Sequence, residues 1–312
     1  MRVHEGCVMF ERDHFQRIGE SCVVAVSDTQ HNNNSTSDNS KYAALSCPVE
    51  AVAEKIRDYI RSYHRDGGDV NLKFITWLPP RSSMASKIKE QRELLCNFSY
   101  ALYYVKSFFP PEEWYVDGTR LSLMYNAQRH TPNAKILQTQ LRSRAKALQE
   151  STNAFEVLMV RDKAEQFLVP EGSRSNYLLL TSDNRLLCSL EKDILIGITL
   201  QAVRRAAAAV GIPPIEHQQL FVGDLCTAKG LVVLGTSPGV LPVREIQLYH
   251  NEESRQNFLA ALDDYEQRAT AKELVATMRK QIVAAGGVLR LDSAQNSLLT
   301  RLREAYEVEA FH

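Results

Sequence analysis

Apolar residues recur at helical spacing in Val49, Val52, Ile56, Ile60 and Tyr63, which gives a helix one buried face. Pro48 suits its first position, where a missing N–H costs nothing, and Gly67-Gly68 ends it. The period then changes to two. Val70, Leu72, Phe74, Thr76 and Leu78 share one face of a strand over 70–78 that Pro79-Pro80 stops. The aromatic run over 98–105 predicts another strand, with Phe98, Tyr100, Tyr103 and Tyr104 as its core residues. Pro110-Pro111 follows. There we place a boundary between a small domain over 1–109 and a large one over 110–312.

Beyond that point the pattern predicts strands over 118–125, 155–160, 177–180, 186–189 and 231–234. Helices are expected over 136–150, from Thr199 through the alanines 206–209 to a stop at Gly211, and over most of 252–285 and 293–311. Residues 28–41, polar and low in complexity, predict a surface loop. Short strands interspersed with helices make an α+β (mixed α/β) protein of two domains.

Composition narrows the partners. Lys plus Arg equals Asp plus Glu, so the formal charge is zero, and no bulk attraction to nucleic acid or an anionic membrane follows. The cysteines at 7, 22, 47, 96, 188 and 226 form no CxxC pair and no cluster at zinc spacing. They predict buried thiols in a reducing compartment and no metal. No apolar run approaches a membrane span, and the first residues do not form a signal peptide. A cytoplasmic protein is expected, with an organelle left open.

Three short segments carry candidate chemistry. Gly197-Ile198-Thr199 opens a helix, whose first-turn N–H groups and dipole favour an anion; alone, Thr199 reads more simply as an N-cap. Gly235-Thr236-Ser237 offers hydroxyls and amides in a tight turn, although small residues are ordinary at strand ends. Glu171 begins Glu-Gly-Ser-Arg-Ser-Asn (171–176), and a carboxylate on a glycine turn can keep a pyridine nitrogen protonated. Lys135 could carry an aldehyde if a neighbouring charge such as Arg129 kept its amine partly neutral. Arg174 reads as an exposed loop arginine.

In this order and spacing the segments resemble the class IV aminotransferases, from about residue 5 to 246, most strongly over 169–211 and 231–246. The resemblance implies a fold type IV enzyme using pyridoxal phosphate in the cleft between its domains. Lys135 is then the Schiff-base lysine and proton carrier. Glu171 partners the pyridine nitrogen, and Ile198, Thr199, Thr236 and Ser237 form the phosphate cup. Residues 10–21 resemble the family's FxxxxHxxRLxxS segment, which makes Arg17 the phosphate clamp and His14 a support for its helix.

Amino transfer between a branched-chain-like amino acid and a 2-oxo acid, by a homodimer, is the implied activity. Family members carry further strands ahead of this segment, so the small domain is expected to be truncated. Gln140 stands where the branched-chain subgroup has tyrosine, and residues 249–286 look like added helix. These departures keep two alternatives: a 4-amino-4-deoxychorismate lyase on the same fold, and a truncated, catalytically impaired or inactive homologue.

Overall fold

The computed structural model describes residues 1–31, 49–64, 68–77, 99–106, 108–163, 166–268 and 272–311. They divide into two units: Met1–Phe108 with Ala134–Ile136, and Phe109–Asn133 with Leu137–His312. Lys135, expected in the large domain, thus lies in three residues that pack with the first unit. There its backbone N–H donates to Ser21 Oγ at 3.2 Å, beside the buried Ala134.

In the first unit β1 (Arg2–His4), β2 (Cys7–Val8), β3 (Val70–Trp77) and β4 (Ser99–Val105) form an antiparallel sheet in the order β2-β1-β3-β4. Helices α1 (Glu11–His31) and α2 (Val49–Tyr63) accompany it. The helical spacing read in α2 puts Ala53, Ile56 and Ile60 into one core with Phe15, Val3, Val8 and Leu72. Tyr104 packs against this core, but Tyr100 and Tyr103 are exposed. Among the described residues β4 is the last strand of this sheet, so only part of its pleat is covered. Phe98 lies outside the described residues. Of the loop expected over 28–41, residues 28–31 are the end of α1 and the others lie outside the described residues, as do Pro48, Gly67, Leu78 and Pro79-Pro80. Cys22, Cys188 and Cys226 are buried as expected, whereas Cys7 is exposed; Cys47 and Cys96 are outside the described residues.

The second unit is built on a mixed sheet. Its strands are β5 (Thr119–Met124), β6 (Glu156–Met159), β9 (Asn176–Leu180), β10 (Leu186–Ser189), β11 (Glu216–Gln218), β12 (Gly230–Gly235) and β13 (Gly239–Gln247), ordered β11-β10-β9-β12-β13-β5-β6. β14 (Val288–Arg290) pairs with β13, and β7 (Arg161–Lys163) with β8 (Gln166–Leu168) in a separate ribbon. Every residue of β6, β9 and β10 is buried, which is why they read as short continuous apolar runs rather than alternating ones.

Seven helices belong to this unit among the described residues: α3 (Glu113–Asp117), α4 (Thr139–Thr152), α5 (Ile198–Ala209), α6 (Val222–Thr227), α7 (Glu252–Arg268), α8 (Lys272–Ala284) and α9 (Ser297–Phe311). The helix expected from 136 begins at Thr139, because Ile136 N–H turns back to the Ala134 carbonyl at 2.9 Å. The helical stretch expected over 252–285 is two helices. They are part of the main core: Phe258, Leu262 and Ile282 pack with Leu121, Leu158, Tyr177 and Val233. Tyr265 of α7 lies over Gly223, where a Cβ would enter its ring, and donates to Asp224 Oδ1 at 2.7 Å. Burial raises Asp224 above the usual carboxylate range.

Candidate active site

The Glu171–Asn176 loop follows β8 and feeds directly into β9, so its two ends are fixed by strands. Its interior is held by Glu156, at the start of β6. This buried carboxylate accepts from Ser173 Oγ at 2.6 Å, Ser175 Oγ at 3.0 Å, the Arg174 N–H at 3.1 Å and the Val157 N–H at 2.8 Å. Gly172 is required there, since a Cβ would collide with Ser175 Oγ and crowd Glu156 Cγ. The arginine of the loop, Arg174, is largely exposed and reaches the Phe155 carbonyl at 3.4 Å, consistent with its reading as a surface residue.

Glu171 itself is 2 % exposed. Its Oε2 accepts from the Leu195 N–H at 3.2 Å and from Asn176 Nδ2 at 3.4 Å. Its Oε1 lies 2.6 Å from Nε of Arg129, whose side chain is 8 % exposed. The approach is that of an ion pair off the hydrogen-bond direction, and Arg129 Nη2 donates to the Ser173 carbonyl at 2.9 Å. Arg129 therefore serves Glu171.

Asn176 joins three segments. Its Nδ2 donates to the Leu195 carbonyl at 2.9 Å, and its Oδ1 accepts from the Gly197 N–H at 3.2 Å. Across the sheet it is paired with Leu234, at the end of β12. The acidic loop and the start of α5 thus meet at the Asn176 side chain, and the strand leading into the Gly235–Gly239 hairpin pairs with its backbone. Gly197, not Thr199, is the N-cap of α5, and no side chain caps the helix. The first intrahelical bond in its opening turn is Gln201 N–H to the Gly197 carbonyl at 3.1 Å, so the N–H groups of Ile198 and Thr199 face outward from the ladder. Gly235 and Gly239 are register partners, which places Thr236 and Ser237 in the connecting turn.

The other two expected site residues belong to the first unit. Arg17, on α1, donates from Nη2 to His14 Nδ1 at 3.3 Å. Burial lowers Arg17 to about 10, with Glu20 acting the other way. His14 is pushed well below its ordinary value, by burial first and then by neighbouring positive charge that includes Arg17 and Lys135. A neutral imidazole accepting from the guanidinium is the arrangement that supports Arg17, as read from the sequence.

Arg129 and Glu156 are the residues whose roles the sequence did not disclose. For Glu156 one signal exists, a carboxylate heading the apolar run 156–160, where a buried charge needs donors brought from elsewhere. No local signal marks Arg129.

Residues 1–246 match the family described as amino-transferase class IV. A probable branched-chain-amino-acid aminotransferase of Thermotoga maritima is 32% identical over 100 residues, a match spanning 32% of this chain and 35% of the relative. About a third of that curated relative's length is therefore matched. Among solved structures, the 4-amino-4-deoxychorismate lyase of Pseudomonas aeruginosa is similar at a TM-score of 0.56 and 19% identity, covering 85% of this chain and 89% of that one. The branched-chain aminotransferase of the archaeon Thermoproteus uzoniensis, solved with norvaline, is similar at a TM-score of 0.56 and 18% identity, covering 93% and 87%. These likenesses show the fold, fold type IV, and the family match covers well over half of the chain. The chain belongs to the class IV aminotransferases, a pyridoxal-phosphate-dependent family.

Proposed function

We propose that this protein transfers an amino group between a branched-chain-like amino acid and a 2-oxo acid, as a homodimer holding pyridoxal phosphate on Lys135. The observation that carries the proposal is the meeting of the Glu171 loop, the uncapped start of α5 and the Gly235–Gly239 hairpin around Asn176. A buried carboxylate together with outward-facing helix N–H groups suits a ligand that is cationic at one end and anionic at the other. In the first unit, the desolvated guanidinium of Arg17 also suits an anion. The donor set therefore fits pyridoxal phosphate.

When bound, that cofactor supplies an aldehyde that takes up amines and a ring that accepts the electron pair of the α-carbon. In the proposal Ile198 and Thr199 N–H, the Thr236 and Ser237 hydroxyls and Arg17 bind the phosphate. Glu171 holds the proton on the ring nitrogen. Lys135 Nζ attaches the cofactor at rest and carries the proton between the substrate α-carbon and the cofactor C4′ position.

The test is the visible spectrum after adding pyridoxal phosphate, followed by borohydride reduction and peptide mapping. A label on Lys135 is the expected result; no label there overturns the reading. A separate, unreduced sample of the cofactor-loaded enzyme is then assayed with a branched-chain amino acid plus 2-oxoglutarate, and with 4-amino-4-deoxychorismate alone. Turnover in the second assay only replaces the transaminase by the lyase that the Pseudomonas aeruginosa likeness suggests. Turnover in neither identifies an impaired homologue.

A further inference from the structure

We propose that Arg129 is a positioning residue for Glu171: it holds that carboxylate as an oriented anion for the ring nitrogen. The proposal rests on the pyridoxal phosphate reading above. A carboxylate buried this deeply keeps its charge only beside a compensating partner. The two oxygens of Glu171 are served differently. Oε2 meets neutral donors, the Leu195 N–H and the Asn176 amide, while the cation sits 2.6 Å from Oε1.

Arg129 is itself anchored. Its Nη2 donates to the Ser173 carbonyl at 2.9 Å, so one planar guanidinium grips the acidic loop both at its carboxylate and two residues on. The segment leading from Arg129 is pinned as well. With its amide nitrogen turned towards them, Asn133 donates to the carbonyls of Glu191 at 3.1 Å and Ile194 at 2.9 Å. Leu195, the next residue, gives its N–H to Glu171 Oε2. The contacts close a ring from Arg129 through Glu171 and Leu195 to Asn133 and back along the chain. Such a ring fixes the direction of the carboxylate as well as its charge. Lysine could replace the charge but not the fork that spans two acceptors.

The experiment is a binding titration of the apo-protein with two ligands. One is pyridoxal phosphate; the other is its analogue with the ring nitrogen replaced by a carbon bearing hydrogen. Wild type, Arg129→Met, Arg129→Lys, Glu171→Gln and the Arg129→Met/Glu171→Gln double variant are compared, with circular dichroism to confirm folding. Arg129→Met is expected to weaken pyridoxal phosphate about tenfold or more, the scale of a lost buried charge partner, and to leave the carbon analogue unchanged. Arg129→Lys should fall between, and the double variant should bind no worse than Glu171→Gln alone.

Equal weakening of both ligands, or additive losses in the double variant, overturns the proposal by reducing Arg129 to a structural residue. Arg129→Lys keeps the test open if Arg129→Met does not fold. Failure of the underlying reading looks different: wild type then takes no borohydride label on Lys135, or Glu171→Gln leaves the preference for ring nitrogen intact.

Discussion

Charge is handled in opposite ways in the two units. In the second, the buried carboxylates Glu156 and Glu171 are met by donors from their own loop and from segments that pack on it. In the first, the grouping is of cations and a histidine held neutral. Burial works against the charge of Arg17, and Arg17 and Lys135 both work against protonation of His14. The second unit thus holds two anions in place: Glu156 is spent on structure and Glu171 stays an oriented carboxylate. The other concentrates positive charge, which suits an incoming anion. Substitution of Glu156 should therefore cost stability, whereas substitutions in the cationic group of the first unit should cost chemistry or pH response.

The largest expected effect is on chemistry in the first unit. Lys135→Ala should lower turnover by about 10³-fold or more, since proton transfer alone is worth about 10²–10⁴-fold and attachment is lost with it. Activity and borohydride labelling of the variant check this, and retained turnover would sink the mechanism. In the second unit Glu156→Ala should cost about 3 kcal/mol, because orphaned buried donors cost about 1–3 kcal/mol each. Urea denaturation measures it; a loss under about 1 kcal/mol would mean that the Gly172–Ser175 loop stands without its carboxylate.

His14 offers a sharper contrast through pH. Its folded value lies below the unfolded 6.5, so the unfolded chain takes up protons first as pH falls. The stability linked to His14 is complete above that pH and is lost below it, by up to about 1.4 kcal/mol per pH unit. His14→Gln should flatten this slope, as read by denaturation at about pH 7.5 and about pH 5.5. An unchanged slope would assign the acid sensitivity to another group. The smallest effect expected is from Ser21→Ala, which removes the 3.2 Å acceptor of the Lys135 N–H. An exposed hydrogen bond of this kind is worth about 0.5 kcal/mol. A melting shift much larger than that would show that Ser21 sets the position of the lysine segment.

Elements whose cause is local were legible in the sequence. The α2 face, the buried runs of β6, β9 and β10, and the glycine before α5 all announce themselves through spacing or composition. β13 did not. Pro242 argues against a central strand, yet Gly239–Gln247 lies between β12 and β5, with its register shifting just beyond the proline, between Val243 and Glu245. The register with β12 stops at Pro242 and that with β5 starts at Val243, so the proline stands where the strand changes partners. Tyr100 and Tyr103 misled in the other direction: aromatic content marks a strand but does not say which strand ends at an edge.

The same division runs through the candidate site. Sequence alone determined the order of Lys135, Glu171, Ile198-Thr199 and Thr236-Ser237, because glycine turns and a helix start are short-range features with their own residue signatures. Only the tertiary structure decided that Arg129 stands on Glu171, that Glu156 holds the loop, and that Asn176 ties three segments together. Ion pairs and hydrogen bonds between distant residues depend on strand register and burial, and nothing in the local sequence encodes which buried charge will meet which partner.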